Sequence, residues 1–139
     1  MSDNRITLKE AERFHGHVGP YLILGILAGE LAINKLNFKR YFDLEVKVSG
    51  VDKKPKSCII DGLQLSTGAT YGKGNIYKMP GRRLGILFTE RKSGRKIKLN
   101  IKGDLIKRIY ALKGHFDSER LARELYKTNP LKIFDIKIL

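Results

Sequence analysis

A single cysteine, Cys58, stands in this chain of 139 residues. One thiol excludes an internal disulfide framework and any self-contained CxxC site, and it suits a reducing cytoplasm. No secretory leader is visible, because residues 1–10 are polar and alternate in charge without a basic segment followed by an apolar one. The longest apolar stretch, Val18 to Gly29, stops at Glu30, short of the ~20 residues that a membrane-spanning helix needs. It predicts a buried helix, a cytoplasmic location and no membrane partner. Repeats, low-complexity tracts and linkers rich in Gly, Ser or Pro are also missing, so residues 1–139 read as one domain around one core.

Acidic residues are comparatively few. Fourteen Asp and Glu stand against twenty-eight Lys and Arg, which gives a net charge of +14. Such an excess fits an anionic partner such as nucleic acid, an acidic protein or a phosphorylated ligand. It equally fits a Lys-rich surface of the heat-adapted kind. The cations are scattered along the chain and mark no single face, which favours the second reading.

Thr7 and Glu10 have the spacing of a capping box, which predicts a helix from about Leu8 to Phe14. His15-Gly16-His17-Val18-Gly19-Pro20 interrupts it, and Pro20 suits the first position of a second helix. From Tyr21 to Leu36 the chain is apolar nearly all round, with a stripe of Gly25, Ala28, Gly29 and Ala32. Such a helix belongs in the core, its small stripe against a neighbouring helix or a second protomer. Leu44–Val48 alternates as a strand, Cys58–Leu65 reads as a short helix, and three strands are predicted at Asn75–Met79, Arg83–Glu90 and Lys96–Ile101. Helices follow at Asp104–Leu112 and from a cap at Ser118, with Leu121, Leu125 and Tyr126 inward; Ile133–Leu139 reads as an edge strand. The order predicts an α+β domain, two layers with the helices on one face of an antiparallel run.

Three segments carry a resemblance: Phe14-His15-Gly16-His17-Val18-Gly19-Pro20, Cys58-Ile59-Ile60-Asp61-Gly62, and Thr67-Gly68-Ala69-Thr70-Tyr71-Gly72-Lys73-Gly74-Asn75. In order and spacing they resemble the FmdE/FwdE-like family, named for a component of formylmethanofuran dehydrogenase, over roughly residues 8 to 102. The resemblance implies a two-layer α/β domain that pairs as a homodimer. It also suggests association with a larger molybdenum or tungsten enzyme, without fixing a reaction. Residues 103–139 read as a helical extension; they contain no cysteine, so the zinc ribbon that some relatives append is missing. Two family cysteines are replaced, one by Gly19 and one by Ala69.

The chemistry that remains is an N2S set. His15 and His17 lie where the helix breaks, so a loop could aim both imidazoles at one point, and folding would bring Cys58 to them. That set suits zinc, with water or Asp61 in the fourth position or Asp61 hydrogen-bonded to a histidine. Loss of two thiolates leaves such a site degenerate. Cys58 paired with a histidine as nucleophile and base is disfavoured, because its apolar neighbours would raise the thiol pKa. Lys73, flanked by Gly72 and Gly74, with the hydroxyls of Thr67 and Thr70, is expected near the same pocket as a ligand contact. His115 is expected at a turn on the surface. The function implied is a small-ligand or metal-binding domain of unsettled activity. The competing reading is a basic nucleic-acid-binding or scaffold protein, with Tyr41, Phe42 and Tyr77 available for stacking.

Overall fold

The computed structural model describes residues 5–139; the first four residues of the polar N-terminal stretch lie outside it. Helix α1, Leu8–His15, begins with the capping box read from the sequence. Thr7 Oγ1 accepts from Glu10 N at 3.1 Å, and Thr7 N donates to the Glu10 carboxylate at 3.0 Å. Gly16, at φ 108°, ends it in the left-handed conformation that glycine adopts without steric cost. Helix α2, Pro20–Leu36, starts on proline and stops at Asn37, another left-handed residue.

Strand β1, Leu44–Ser49, leads through a short 3₁₀ turn, Lys56–Cys58, into α3, Ile59–Thr67. Strands β2, Ile76–Met79, β3, Gly85–Glu90, and β4, Lys96–Ile101, follow. Helices α4, Gly103–Tyr110, and α5, Gly114–Tyr126, precede β5, Phe134–Ile138. One sheet takes all five strands in the order β2-β1-β3-β4-β5. Its inner face is apolar in cross-strand rows: Val46–Phe88–Ile97 is one, and Val48–Ile86–Leu99 is the next. All six side chains are fully buried under the helices.

Two expectations are corrected. The strands do not form a purely antiparallel run, because β2 pairs with β1 in parallel. The α3 connection carries the chain back to the end from which β1 started, and parallel neighbours need such a crossover. Ser118 is not a cap either. Helix α5 starts one turn earlier, at Gly114, with Asp117 in its first turn facing the positive end of the helix dipole. The inward side chains are as expected: Leu121 and Leu125 are buried and Tyr126 packs against the core.

The small stripe of α2 meets α3. A Cβ at Gly25 would come within 2.2 Å of Ile59 O, and one at Gly62 within 2.1 Å of Leu22 O. Backbone touches backbone at this crossing, so neither glycine can carry a side chain. Ser66 Oγ donates to Gly25 O at 3.1 Å across the same contact. A stripe buried in this way against the chain's own helix offers nothing to a second protomer. Among the described residues no helix is long and apolar enough to cross a membrane.

Candidate functional site

The break between α1 and α2 forms one wall of a cleft of about 330 Å³. His15 comes from the last turn of α1, His17 from the loop and Gly19 from the N-cap of α2. Cys58, ahead of α3, lines the same cleft, and Ile109, Leu112, His115 and Glu119 complete the lining. The segment after Gly103 therefore closes the cleft. The chain contains three histidines, and all three line this cleft. The rings of His15 and His17 meet edge to face at 5.1 Å between centroids, and those of His17 and His115 at 6.2 Å.

Asp61 touches one of them. Its Oδ2 lies 2.6 Å from His15 Nδ1, and its Oδ1 accepts from Gln64 Nε2 at 3.3 Å. A carboxylate can only accept, so Nδ1 carries the hydrogen and Nε2 is left for the cleft. Burial pushes the Cys58 thiol up, the charge of Asp61 adds to that, and Lys54 opposes it. A thiol whose pKa is raised is a weak nucleophile near neutral pH. The Tyr21 hydroxyl is raised as well, by burial first and by Tyr110 second. The His15, His17 and Cys58 set lines one cleft without closing into a coordination shell. Among the described residues no group of three or more His, Cys, Asp or Glu side chains is arranged to hold a metal ion.

The glycine-flanked lysine sits elsewhere. Cys58 precedes α3 and Thr67 ends it, and nine residues of helix separate the two ends by about 13 Å. Thr67, Thr70 and Lys73 do not line the histidine cleft. Thr67 is buried; its hydroxyl donates to Leu63 O at 2.6 Å and accepts from Ala69 N at 3.0 Å. Thr70 Oγ1 accepts from Lys73 N at 3.2 Å, and Thr70 N donates to Asn75 Oδ1 at 2.9 Å. Asn75 Nδ2 in turn donates to the carbonyls of Tyr41 and Leu44. These hydroxyls are committed to shaping a loop.

The replaced cysteines also separate. Gly19 lines the cleft, and a Cβ there would stand 3.2 Å from His17 Cε1. Ala69 is fully buried beyond the far end of α3. Sequence reasoning omits His115 and Glu119 from the site. The one signal available is the scarcity of histidine itself. A larger hollow of about 560 Å³ lies beside Arg5, Glu30 and Tyr126. There Arg5 pairs with Glu30 at 3.0 Å and stacks 3.8 Å over the Tyr126 ring, tying the N-terminal segment to α2 and α5.

Comparison with known proteins gives three similarities. The family described as "FmdE, Molybdenum formylmethanofuran dehydrogenase operon" matches residues 14–134, starting later than the expected span of 8 to 102 and running well beyond its end. A "Probable S-adenosyl-L-methionine-binding protein" of Archaeoglobus fulgidus is 24% identical over 108 residues. That alignment covers 75% of this chain and 29% of the relative, so the chain spans under a third of that protein's length. The crystal structure of a tungsten formylmethanofuran dehydrogenase FmdE-like protein from Syntrophus aciditrophicus superposes with a TM-score of 0.68 at 18% identity. The superposition covers 95% of this chain and 69% of that one, and it shows the α+β fold.

Proposed function

The chain belongs to the FmdE family, and from that membership we propose that the histidine cleft is its functional site, a pocket for a small ligand in which the zinc site is degenerate. One observation carries this reading: every histidine of the chain lines the same cleft. Three imidazoles drawn from two distant segments, beside an Asp that orients one of them, offer hydrogen bonds to the polar end of a ligand. Val18, Leu22, Ile109 and Leu112 offer an apolar wall to the rest of it. Zinc does not find a finished shell here. Two imidazoles touch, the third ring is further off, and among the described residues no three His, Cys, Asp or Glu side chains converge to hold an ion.

The similarity to an S-adenosyl-L-methionine-binding protein makes that molecule the first probe. Its adenine suits the apolar wall, and its positive charges suit the carboxylate of Glu119, whose Oε2 already accepts from Arg123 Nε at 3.2 Å. Spectra resolving the ring signals of the three histidines test the reading, with S-adenosyl-L-methionine and zinc chloride titrated separately. The ring signals of His15, His17 and His115 are expected to move together with at least one of the two. Three rings unmoved by either at about millimolar concentration, a binding free energy near −4 kcal/mol, would contradict it.

A further inference from the structure

Among the described residues the outward side chains of the sheet stay exposed or half-buried, with no helix covering them, and they form a cross-strand row. Tyr77 of β2 stands opposite Lys47 of β1, Lys47 opposite Leu87 of β3, Leu87 opposite Lys98 of β4, and Lys98 opposite Lys137 of β5. Strands lie about 4.8 Å apart, so the row runs about 19 Å across the sheet, with an aromatic ring at one edge and two cations at the other. Lys47 is drawn to Glu45 at 3.7 Å, and Arg91 to the same carboxylate at 3.8 Å. Two cations on one carboxylate leave positive charge in excess. Lys98 and Lys137 make no ion pair among the described residues. Asp135 stands at the rim of this face, opposite Asn100.

A second cluster adjoins the Tyr77 edge. The Tyr77 hydroxyl donates to Gly74 O at 2.7 Å, which holds the loop of residues 70–74 alongside. From that loop Lys73 Nζ reaches 5.8 Å from the Tyr41 ring and 5.5 Å from the Phe42 ring. Tyr41 is 58% exposed and Phe42 66%. Tyr41 has φ 67°, an outlier for a bulky residue that persists only where its surroundings hold it. Asn75 Nδ2 bonds its carbonyl at 2.7 Å, and its ring packs where Gly68 leaves room, since a Cβ at Gly68 would lie 2.3 Å from Tyr41 Cδ1. The fold spends backbone strain to present an exposed ring next to a lysine.

We propose that this open sheet face, with the Tyr41–Phe42–Lys73 cluster at its edge, binds single-stranded nucleic acid. Exposed rings accept stacked bases, and the lysines of the row, with Lys98 and Lys137 free of ion pairs among the described residues, accept phosphates. A net charge of +14 supplies long-range attraction. Among the described residues no helix or hairpin protrudes from the face to enter the groove of a duplex, so a single strand with splayed bases is the occupant that fits.

Fluorescence anisotropy of the full chain with labelled oligo(U) and oligo(dT) of about twelve nucleotides tests this. Binding is expected to weaken steeply between about 50 and 200 mM salt. The double variant Lys98→Gln/Lys137→Gln should lower the slope of log affinity against log salt by about 1.4. Phe42→Ala is expected to lose about tenfold in affinity at fixed salt. The matching variant Lys107→Gln/Lys127→Gln removes the same charge from exposed positions on the helical layer and should change little. Absence of binding at low salt overturns the proposal. So does an equal loss in the two lysine variants, equal affinity for a duplex, or displacement by polyglutamate at the same charge concentration.

Discussion

His15 Nδ1 and Asp61 Oδ2 stand 2.6 Å apart although 46 residues separate them in the chain. The contact joins the end of α1 to the first turns of α3 and fixes how one imidazole faces the cleft. Asp61→Ala removes the acceptor. Nitrogen-detected spectra of the wild type are expected to show His15 carrying its hydrogen on Nδ1 when neutral, and the variant to revert to a mixture dominated by Nε2–H. An unchanged tautomer would mean that Asp61 does not orient the ring.

The α2–α3 crossing makes a second prediction. Gly25→Ala would drive a methyl group to 2.2 Å from Ile59 O, and because the obstacle is backbone the two helices must separate. A loss of about 3 kcal/mol is expected, at the upper end of overpacking effects, read as a lowered urea midpoint. Gly103→Ala, with nothing within 4 Å of the added carbon, serves as the control and should be neutral or slightly stabilising. Equal midpoints for the two variants would contradict the close crossing.

Acid stability follows from Glu90. Its carboxylate accepts from Ser93 Oγ at 2.6 Å, from Lys39 N at 3.0 Å and from Arg95 Nη2 at 3.0 Å. These bonds, that of Ser93 first, pull its pKa down to about 2. A carboxyl whose folded value lies below its unfolded one stabilises the fold fully above the unfolded pKa, about 4.3. The contribution is lost as pH falls through the folded value. The melting temperature of the wild type should therefore fall toward that of Glu90→Gln between about pH 4.3 and pH 2. Parallel curves over that window would remove Glu90 from the acid response.

Much of this is legible in the residues. Thr7 with Glu10, Pro20 after two glycines, and the alternation of Leu44–Val48 each carry a local physical signal, and each lies where that signal predicts. The direction of β2 does not, because period-two alternation is the same for a parallel and an antiparallel neighbour. The start of α5 is misread for a related reason: Ser118 has the chemistry of a cap, but Lys113-Gly114 turns the chain four residues earlier. His15, His17 and Cys58, which the motifs single out, line one cleft. The motifs do not place His115, because a lone histidine after a glycine has no periodic partner and reaches the cleft only through the packing of α5 on α2. Lys73 is expected near the histidines, yet the length of α3 sets it at the other end.

Gly19 is where the proposed function is most exposed to test. It lines the cleft with extended backbone, φ −128° and ψ 164°, which any residue adopts. A side chain there would begin beside the His17 ring. Gly19→Cys would return a thiol to the histidines, whereas Ala69→Cys would place one in the core beyond α3. Calorimetric titration with zinc at neutral pH is the direct measurement. Wild type is expected to bind more weakly than about 1 µM, Gly19→Cys to gain at least about tenfold, and Ala69→Cys to gain nothing. Tight stoichiometric zinc in the wild type, or no gain from Gly19→Cys, would contradict a degenerate site in the histidine cleft.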